Sequence, residues 1–368
     1  MKILQVVTYK SDDGAFGGPT RVAEAQCEAL AALGHEVTLI AAAPVSQRQE
    51  SLVDGYKLIL LPAKTISKSL GFAGMFAKGM FKELLSLRKN VDVAHVHLAR
   101  DLVSLPAAVM QIIFQNSLFV QTHGMIDKSK QLLAKPLDFL FTTRVLSQSK
   151  KVFTLTDLED SEIKNLSTGA RVQRVKNGVA LKSRSWTESG SRDYVLFLAR
   201  LHKRKRPVAF VEMAELILNQ RPDTKFLVAG PDEGELEKTL SEINRLHLAK
   251  NVEVIGPVKP ADTNSVLAKA KVFVLPSFGE IFPMTVIEAF NVSTPTVVTS
   301  DLGIAQACRD YKAALVTDGT PTQLAQAVLA LLEDPVLNEQ VVAGGHRYLE
   351  NELDIAHVAK FLAAEYLS

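Results

Sequence analysis

Two glutamates eight positions apart, Glu280 and Glu288, bracket a turn that is suited to holding a ligand. The apolar, β-branched run at 272–275 predicts a buried parallel strand, and the run at 296–301 predicts a second one. A helix that begins near Pro283 places both carboxylates by the carboxyl end of a strand, where open α/β sheets bind ligands. Its free N–H groups and positive dipole end suit a phosphate or a sugar hydroxyl. On spacing alone, the alternative is a pair of glutamates that face water.

A cluster of cations follows the strand predicted at 194–199 and precedes a predicted helix. Its members are Arg200, Lys203, Arg204, Lys205 and Arg206. Cations over a helix N-terminus suit a diphosphate, because arginine offers a planar fork and lysine a point charge. Held there, they stabilise the charge that develops on a departing diphosphate. The alternative is a solvated basic face.

The chain opens with a βαβ unit that has a glycine-rich first turn. A strand predicted at 3–7 leads through two glycines to a helix predicted from Thr20 and a strand predicted at 37–41. Gly17 and Gly18 let the backbone approach a ligand next to a helix start. The G-x-G-x-x-G dinucleotide fingerprint is absent, and a tight turn without a ligand is the alternative.

Histidines line or follow two further predicted strands. His123 follows the strand at 118–121 and precedes a glycine, which puts it at another strand end. A lone histidine at such a position is more often structural. His95 and His97 alternate along the strand at 92–97 and share one face, so a metal is conceivable, but no third ligand stands at a sensible spacing.

Two lysine-rich stretches raise the question of an anionic partner. Residues 64–90 interleave Lys and Arg with apolar residues around a single acid, Glu83. A basic amphipathic stretch can lie on an anionic membrane surface. An ordinary crossover helix with a solvated face is favoured, because two glycines weaken a continuous helix. Lys128 and Lys135 can meet an anionic acceptor, a lipid pyrophosphate or only water.

Composition excludes several classes of protein. The 368 residues, 47% apolar and 22% charged, fit two globular domains. A net charge of +2 argues against a dedicated nucleic-acid binder. Two cysteines are too few for a disulfide framework or a zinc cluster and fit a reducing compartment. No apolar stretch is long enough to span a membrane, so we expect a cytoplasmic protein, with peripheral contact at the inner face of the cytoplasmic membrane left open.

The chain closely resembles the retaining glycosyltransferases of the GT-B fold, of the family-four (glycosyl transferases group 1) type. In the second half, the resemblance rests on Pro-Ser at 276–277, Glu-x-Phe-Pro at 280–283, Glu-Ala-Phe at 288–290 and Thr-Pro-Thr-Val-Val at 294–298. In the first half it rests on Gly-Gly at 17–18, Thr-His-Gly-Met at 122–125 and Val-x-Asn-Gly-Val at 175–179. Two positions depart from the family pattern: Pro283 and Ser293 stand where many members have glycine.

The resemblance implies a role for each of these residues. Glu280 contacts the donor sugar and Glu288 the ribose. Arg200 and Lys205 meet the donor pyrophosphate, and His123 lies beside the reacting sugar. The other donor-binding positions it implies are Gly17, Gly18, Val258, Phe282, Pro283, Met284 and Thr285, with the backbone at Val258 on the nucleobase. Of these residues, His123, Arg200, Lys205 and Glu280 are the catalytic candidates. Lys128 and Lys135 are placed on the acceptor side.

Alternating strands and helices predict an α/β protein with two Rossmann-like, doubly wound domains. The GT-B resemblance implies that the domains face a central cleft and that the C-terminal helix crosses back to the N-terminal domain. We expect an acceptor-binding domain at 1–182, a nucleotide-sugar-binding domain at 193–350 and a terminal helix at 351–368. The polar stretch at 182–192 is the predicted linker.

The resemblance further implies a hexosyltransferase that uses a nucleotide-diphosphate sugar as donor, with a UDP-sugar favoured and GDP-mannose next. Its acceptor would be a glycan or lipid-linked glycan in surface polysaccharide or lipopolysaccharide synthesis. Retention would follow a front-face displacement without a protein nucleophile. The chain has no Asp-x-Asp pair, so we expect a metal-independent site without a cofactor. The alternatives are a non-catalytic nucleotide-sugar-binding protein on the same scaffold, and an epimerase or sugar phosphorylase.

Overall fold

A computed structural model describes residues 1–10, 17–66, 74–126, 141–181 and 192–368. The chain forms two compact units, one of residues 1–180 together with 353–368, the other of residues 181–352. Lys128, Lys135 and most of the predicted linker lie outside the described residues, as do residues 67–73 of the basic stretch. None of the described helices is long and apolar enough to cross a membrane.

The first unit is built on one sheet. Its strands are β1 (Lys2–Tyr9), β2 (Glu36–Ala43), β3 (Gln49–Val53), β4 (Tyr56–Thr65), β5 (Met75–Ala77), β6 (Val93–His97), β7 (Ser117–Gln121), β8 (Lys151–Thr154) and β9 (Val172–Arg174). The strand order is β3-β4-β2-β1-β6-β7-β8-β9, with β5 on β4. All pairs are parallel except those of β3 and β5 with β4. Helices on both faces bury the sheet, which is why β1 is largely apolar, with the single buried amide Gln5 between Leu4 and Val6.

The described helices that follow these strands are α1 (Gly17–Ala32), α2 (Met80–Leu87), α3 (Ser104–Ile113), α4 (Thr143–Gln148) and α5 (Asp157–Leu166). Alternate residues of β1 pack into two different hydrophobic clusters, one on each face of the sheet. Leu4 and Val6 join the cluster that contains α3, whereas Ile3 and Val7 join the cluster that contains α1.

Two predictions about the first unit need correction, and two of its strands were not predicted. The first helix begins at Gly17, not at Thr20, so Gly17 and Gly18 are its first residues and not a preceding turn. The sequence predicts a strand at 56–61 that Pro62 closes, but β4 continues to Thr65, because the Pro62 carbonyl still accepts a hydrogen bond from the Lys78 N–H at 2.9 Å. The antiparallel strands β3 and β5 were not predicted.

The second unit has a sheet with every strand pair parallel. Its strands are β10 (Tyr194–Leu198), β11 (Phe226–Ala229), β12 (Val252–Gly256), β13 (Ala270–Leu275), β14 (Thr296–Thr299) and β15 (Leu315–Thr317). Its helices are α6 (Pro207–Leu218), α7 (Leu236–Arg245), α8 (Thr263–Ala268), α9 (Met284–Asn291), α10 (Ala305–Tyr311), α11 (Pro321–Glu333) and α12 (Pro335–Tyr348). The order β12-β11-β10-β13-β14-β15 reverses direction between β10 and β13, which makes this a doubly wound fold as predicted.

The last helix, α13 (Ile355–Tyr366), belongs to the first unit although it follows the second in sequence. Val358, Leu362 and Tyr366 of α13 join the core cluster that contains Phe119 and Phe153. The Val179 N–H donates to the Leu353 carbonyl at 2.8 Å, which ties the start of this segment to the first unit. The predicted return of the terminal helix is therefore confirmed.

Candidate active site

In the second unit, the predicted donor-binding segments follow β10 and β13, the neighbouring strands at which the strand order reverses (the switch point). β10 and β13 are neighbours, paired from Tyr194 with Ala270 to Leu196 with Phe273. Since parallel strands end at the same edge of a sheet, the segments after β10 and β13 emerge side by side. The cation cluster follows β10, and the loop that leads to Glu280 follows β13.

Lys205 and Glu280 form an ion pair at this edge, between the Nζ and Oε1 atoms. Both side chains are largely buried, with 16% and 15% of their area exposed. Burial lowers the pKa of Lys205, while the attraction of Glu280 acts in the opposite direction. A partly desolvated cation therefore lies against a carboxylate.

Arg204 and Arg206, on either side of Lys205 in the cluster, hold the loop that carries Glu280. The Arg204 guanidinium donates to the Gly279 carbonyl, and the Arg204 carbonyl accepts from the Phe278 N–H at 3.0 Å. Arg206 lies 5.0 Å from the centre of the Phe278 ring and donates to the Gly319 carbonyl at 2.7 Å. From the sequence, Arg204 or Arg206 could replace Lys205 as the diphosphate ligand; in the structure, Lys205 is the cation that pairs with Glu280.

Gly303, in the segment between β14 and α10, packs against the same loop. The Gly303 N–H donates to the Glu280 carbonyl at 2.7 Å. A Cβ on Gly303 would lie 2.2 Å from the Ile281 carbonyl oxygen, so this close approach requires glycine. Gly303 was not identified from the sequence, because nothing in its local pattern marks a contact with a loop so far away.

α9 begins directly after this loop. Pro283 is its N-cap, in an extended conformation, and the Val286 N–H donates to the Pro283 carbonyl at 3.0 Å. The N–H groups of Met284 and Thr285 have no acceptor within the helix, as in the first turn of any α-helix. Glu288 lies farther along α9 and is half-buried. The predicted helix start near Pro283 is correct, while Phe282 precedes it in the loop.

Arg200, the other predicted diphosphate ligand, is held by a residue that the sequence did not reveal. Its Nη1 atom lies 2.7 Å and 2.8 Å from the two carboxylate oxygens of Glu233. Asp232 fixes the loop after β11 by accepting from the N–H groups of Gly234 and Leu236, at 2.8 Å and 3.1 Å. Val258, partly buried, follows β12, two strands from β10.

In the first unit, His123 occupies the turn after β7. Its backbone is left-handed, with φ 50°, which is uncommon outside glycine and found often at functional sites. Its Nε2 lies 2.7 Å from Nδ1 of His97, and the two rings stack with centroids 5.0 Å apart. Burial lowers the pKa of both imidazoles.

The described residues include no group of three or more His, Cys, Asp or Glu side chains that could hold a metal ion.

A fully buried carboxylate fixes the histidine turn. Glu159 accepts from the N–H groups of Gly124 and Leu155, at 2.6 Å and 2.7 Å, and from the Thr122 hydroxyl. Glu159 was missed because α5, which carries it, was not predicted.

Gly17 and Gly18 start α1, near which the Thr20 hydroxyl donates to the Tyr9 carbonyl at 2.7 Å.

Two family profiles match the chain in succession. The profile described as Glycosyl transferase 4-like domain matches residues 17–178, and the profile described as Glycosyl transferases group 1 matches residues 180–347. Solved structures match over the whole length. Sucrose-phosphate synthase from Thermosynechococcus elongatus aligns with a TM-score of 0.77 at 15% identity, covering 100% of this chain and 98% of that one. HepE from Anabaena, in complex with UDP and glucose, aligns with a TM-score of 0.74 at 15% identity, covering 100% of both chains.

Two doubly wound α/β units with these neighbours define a protein of the GT-B fold. The chain belongs to the group 1 glycosyltransferase family. A curated relative, D-inositol 3-phosphate glycosyltransferase of Paenarthrobacter aurescens, is 30% identical over 40% of this chain and 37% of its own. The matched segment covers between about a third and about a half of the curated relatives, 37%, 34% and 54% in three of them.

Proposed function

We propose that this chain is a retaining glycosyltransferase that moves a sugar from a nucleoside-diphosphate sugar to a hydroxyl group. The observation that carries this proposal is the Lys205–Glu280 ion pair at the switch point of the second unit. A cation for a diphosphate stands there next to a carboxylate that can accept from sugar hydroxyls. Membership in a glycosyltransferase family favours turnover over binding alone.

The donor is proposed to lie along the carboxyl edge of the second sheet. Arg200 and Lys205 bind the diphosphate, helped by the N–H groups of Met284 and Thr285 at the start of α9. Glu280 holds hydroxyls of the donor sugar, and Glu288 holds those of the ribose. Phe282 and Pro283 shape the loop, and the backbone at Val258 meets the base.

In the proposed reaction, the acceptor hydroxyl attacks the anomeric carbon on the face from which the diphosphate departs. The new C–O bond forms as the bond to the phosphate oxygen breaks, and the acceptor proton passes to the departing diphosphate. Arg200 and Lys205 stabilise the charge that develops on this leaving group, which makes the site metal-independent. Glu280, already engaged by Lys205, acts as a hydrogen-bond acceptor and not as a nucleophile.

We propose that the donor is a UDP-sugar, with GDP-mannose as the next candidate. The Anabaena protein, which shares this fold, is named as a complex with UDP and glucose. We propose that the acceptor is a glycan or lipid-linked glycan of a bacterial surface polysaccharide. The name of the Paenarthrobacter aurescens relative adds inositol phosphate to the acceptors that need testing.

A lipid-linked acceptor accords with an exposed basic face on α2. Lys82, Phe81 and Leu85 of α2 are exposed, as are Lys78 and Lys89 just beyond its two ends. The only acid of α2, Glu83, is neutralised by Arg48, whose Nε and Nη2 atoms lie 2.7 Å and 2.9 Å from its carboxylate oxygens. We propose that this face contacts anionic lipid at the inner surface of the cytoplasmic membrane.

The first experiment is a thermal-unfolding panel of the full chain with nucleoside diphosphates and their sugars, without metal and then with a chelator. A ligand that binds the folded state raises its unfolding temperature. A chelator-resistant shift with one base supports the donor site and identifies that base. No shift with any nucleotide would overturn the proposal. Sugar transfer to an alcohol or glycan acceptor then separates an enzyme from a protein that only binds the donor.

A further inference from the structure

His97 lies between the side-chain amide of Gln5 and the ring of His123. Its Nε2 lies 2.9 Å from Oε1 of Gln5, and its Nδ1 lies 2.7 Å from Nε2 of His123. Gln5 and His97 are fully buried, on the neighbouring strands β1 and β6. His95 stacks on His97 with ring centroids 4.8 Å apart, which restrains its orientation. Gln5, His97 and His123 therefore form a hydrogen-bonded row.

The direction of each hydrogen bond follows from the amide oxygen. Burial lowers the pKa of His97 and His123, so both rings are neutral near neutral pH, and each has one donor and one acceptor nitrogen. Gln5 Oε1 can only accept, so His97 donates from Nε2 and accepts at Nδ1. His123 must then donate from Nε2. Its second nitrogen, Nδ1, is left as an acceptor.

We propose that Gln5 and His97 are positioning residues that hold His123 in the tautomer with an accepting Nδ1. This inference rests on the proposed function and on the resemblance to the retaining glycosyltransferases, which implies that His123 lies beside the reacting sugar. An accepting nitrogen selects a group that donates, so the ligand facing His123 is a sugar hydroxyl. Glu159 complements this arrangement, because it accepts hydrogen bonds from the Gly124 N–H and from the Thr122 hydroxyl, on either side of His123.

The spectroscopic test uses the full chain labelled with ¹⁵N at histidine. Long-range ¹H–¹⁵N spectra distinguish the two neutral tautomers, and we expect His123 of the wild type to carry its proton on Nε2. Gln5→Leu removes the acceptor, and we expect a Nδ1-protonated fraction of His123 to appear. Gln111→Leu is the matched control. Gln111 is also a buried glutamine whose Oε1 accepts one hydrogen bond, at 2.8 Å from Asn116, but it lies on α3.

The kinetic test uses the UDP-sugar that gives the largest thermal shift, with a glycan acceptor. We expect Gln5→Leu to lower kcat about fivefold, the rate equivalent of about 1 kcal/mol for one hydrogen bond, with little change in KM for the donor. Gln111→Leu should keep the wild-type kcat. A general loss of stability would alter both variants, whereas a tautomer effect alters only Gln5→Leu.

Three outcomes overturn the inference: a wild-type His123 protonated on Nδ1, an unchanged His123 spectrum in Gln5→Leu, or an unchanged kcat in that variant. If Gln5→Leu does not fold, the wild-type spectrum alone decides between the two tautomers. Absence of transfer by the wild type would instead overturn the proposed function, and the histidine spectrum would still test the proton arrangement.

Discussion

Lys205 and Glu280 are joined by an ion pair that links the segment after β10 to the segment after β13. Neither residue lies on a regular strand or a long helix. Their meeting depends on the reversal of strand order between β10 and β13, which brings two distant stretches of sequence to one edge. The same reversal places the start of α9 beside them.

The buried position of Lys205 leads to a pH dependence of donor binding. A diphosphate binds the protonated amine, and burial lowers the pKa of Lys205 below its ordinary 10.5. The proton is present below the pKa and lost as pH rises through it. The affinity for UDP, measured by calorimetry from about pH 7 to about pH 10, should therefore begin to fall at a lower pH than a free lysine would give.

Lys205→Met should remove this alkaline fall and weaken binding near pH 7 by about tenfold or more, the worth of a charge-assisted hydrogen bond. Lys203→Met is the matched control. Lys203 is an exposed lysine of the same cluster, so this variant should keep the fall. The assignment of Lys205 to the diphosphate fails if both variants behave alike.

Glu288 is expected to hold the ribose of the donor. Glu288→Ala should weaken UDP binding by about tenfold, because the hydroxyls lose a charged acceptor. The dissociation constant measured by calorimetry checks this, and Glu237→Ala, at an exposed glutamate of α7, should leave it unchanged. An unaltered affinity in Glu288→Ala would mean that the ribose lies elsewhere.

Gly303→Ala is expected to displace the loop that carries Glu280. The added Cβ would lie 2.2 Å from the Ile281 carbonyl oxygen, and backbone must move to relieve the contact. We expect a loss of about 1–3 kcal/mol in the free energy of unfolding and weaker donor binding. Denaturant unfolding and calorimetry measure the two effects. Asp301→Ala, at an exposed residue of the same connection, is the control, and equal stability of both variants would contradict this prediction.

The basic face of α2 should bind vesicles that contain anionic lipid. Replacing Lys78, Lys82, Arg88 and Lys89 with glutamine should abolish sedimentation with such vesicles, because each cation near the surface contributes about 1 kcal/mol. The matched control replaces four exposed lysines of the second unit, Lys225, Lys250, Lys269 and Lys271. Binding that survives the first set of changes, or is lost with the second, would refute a role for α2.

Strand ends were predictable from the sequence because buried parallel strands are short apolar runs followed by polar turns. This placed Arg200, Lys205 and Glu280 at one edge of a sheet before any contact was known. The partner of Arg200 could not be derived in the same way. Glu233 lies in a loop whose direction is set by Asp232 and by contacts with Leu201, a tertiary effect without a local pattern.

The antiparallel strands β3 and β5 escaped prediction for a related reason. β3 is largely exposed, with polar residues at Gln49, Glu50 and Ser51, so it lacks the apolar run that marks a buried strand. It is a strand because β4 offers it an edge to pair with. Edge pairing of this kind depends on a neighbour and not on the segment's own residues.

The return of α13 to the first unit has a consequence for synthesis on the ribosome. The core around Phe119 and Phe153 is completed by Leu362 and Tyr366, which are translated only after the whole second unit. During translation, this apolar surface of the nascent chain stays uncovered while residues 181–352 emerge and fold. The first unit can therefore complete this core only after residues 353–368 have left the ribosome, although its sheet is synthesised before the second unit.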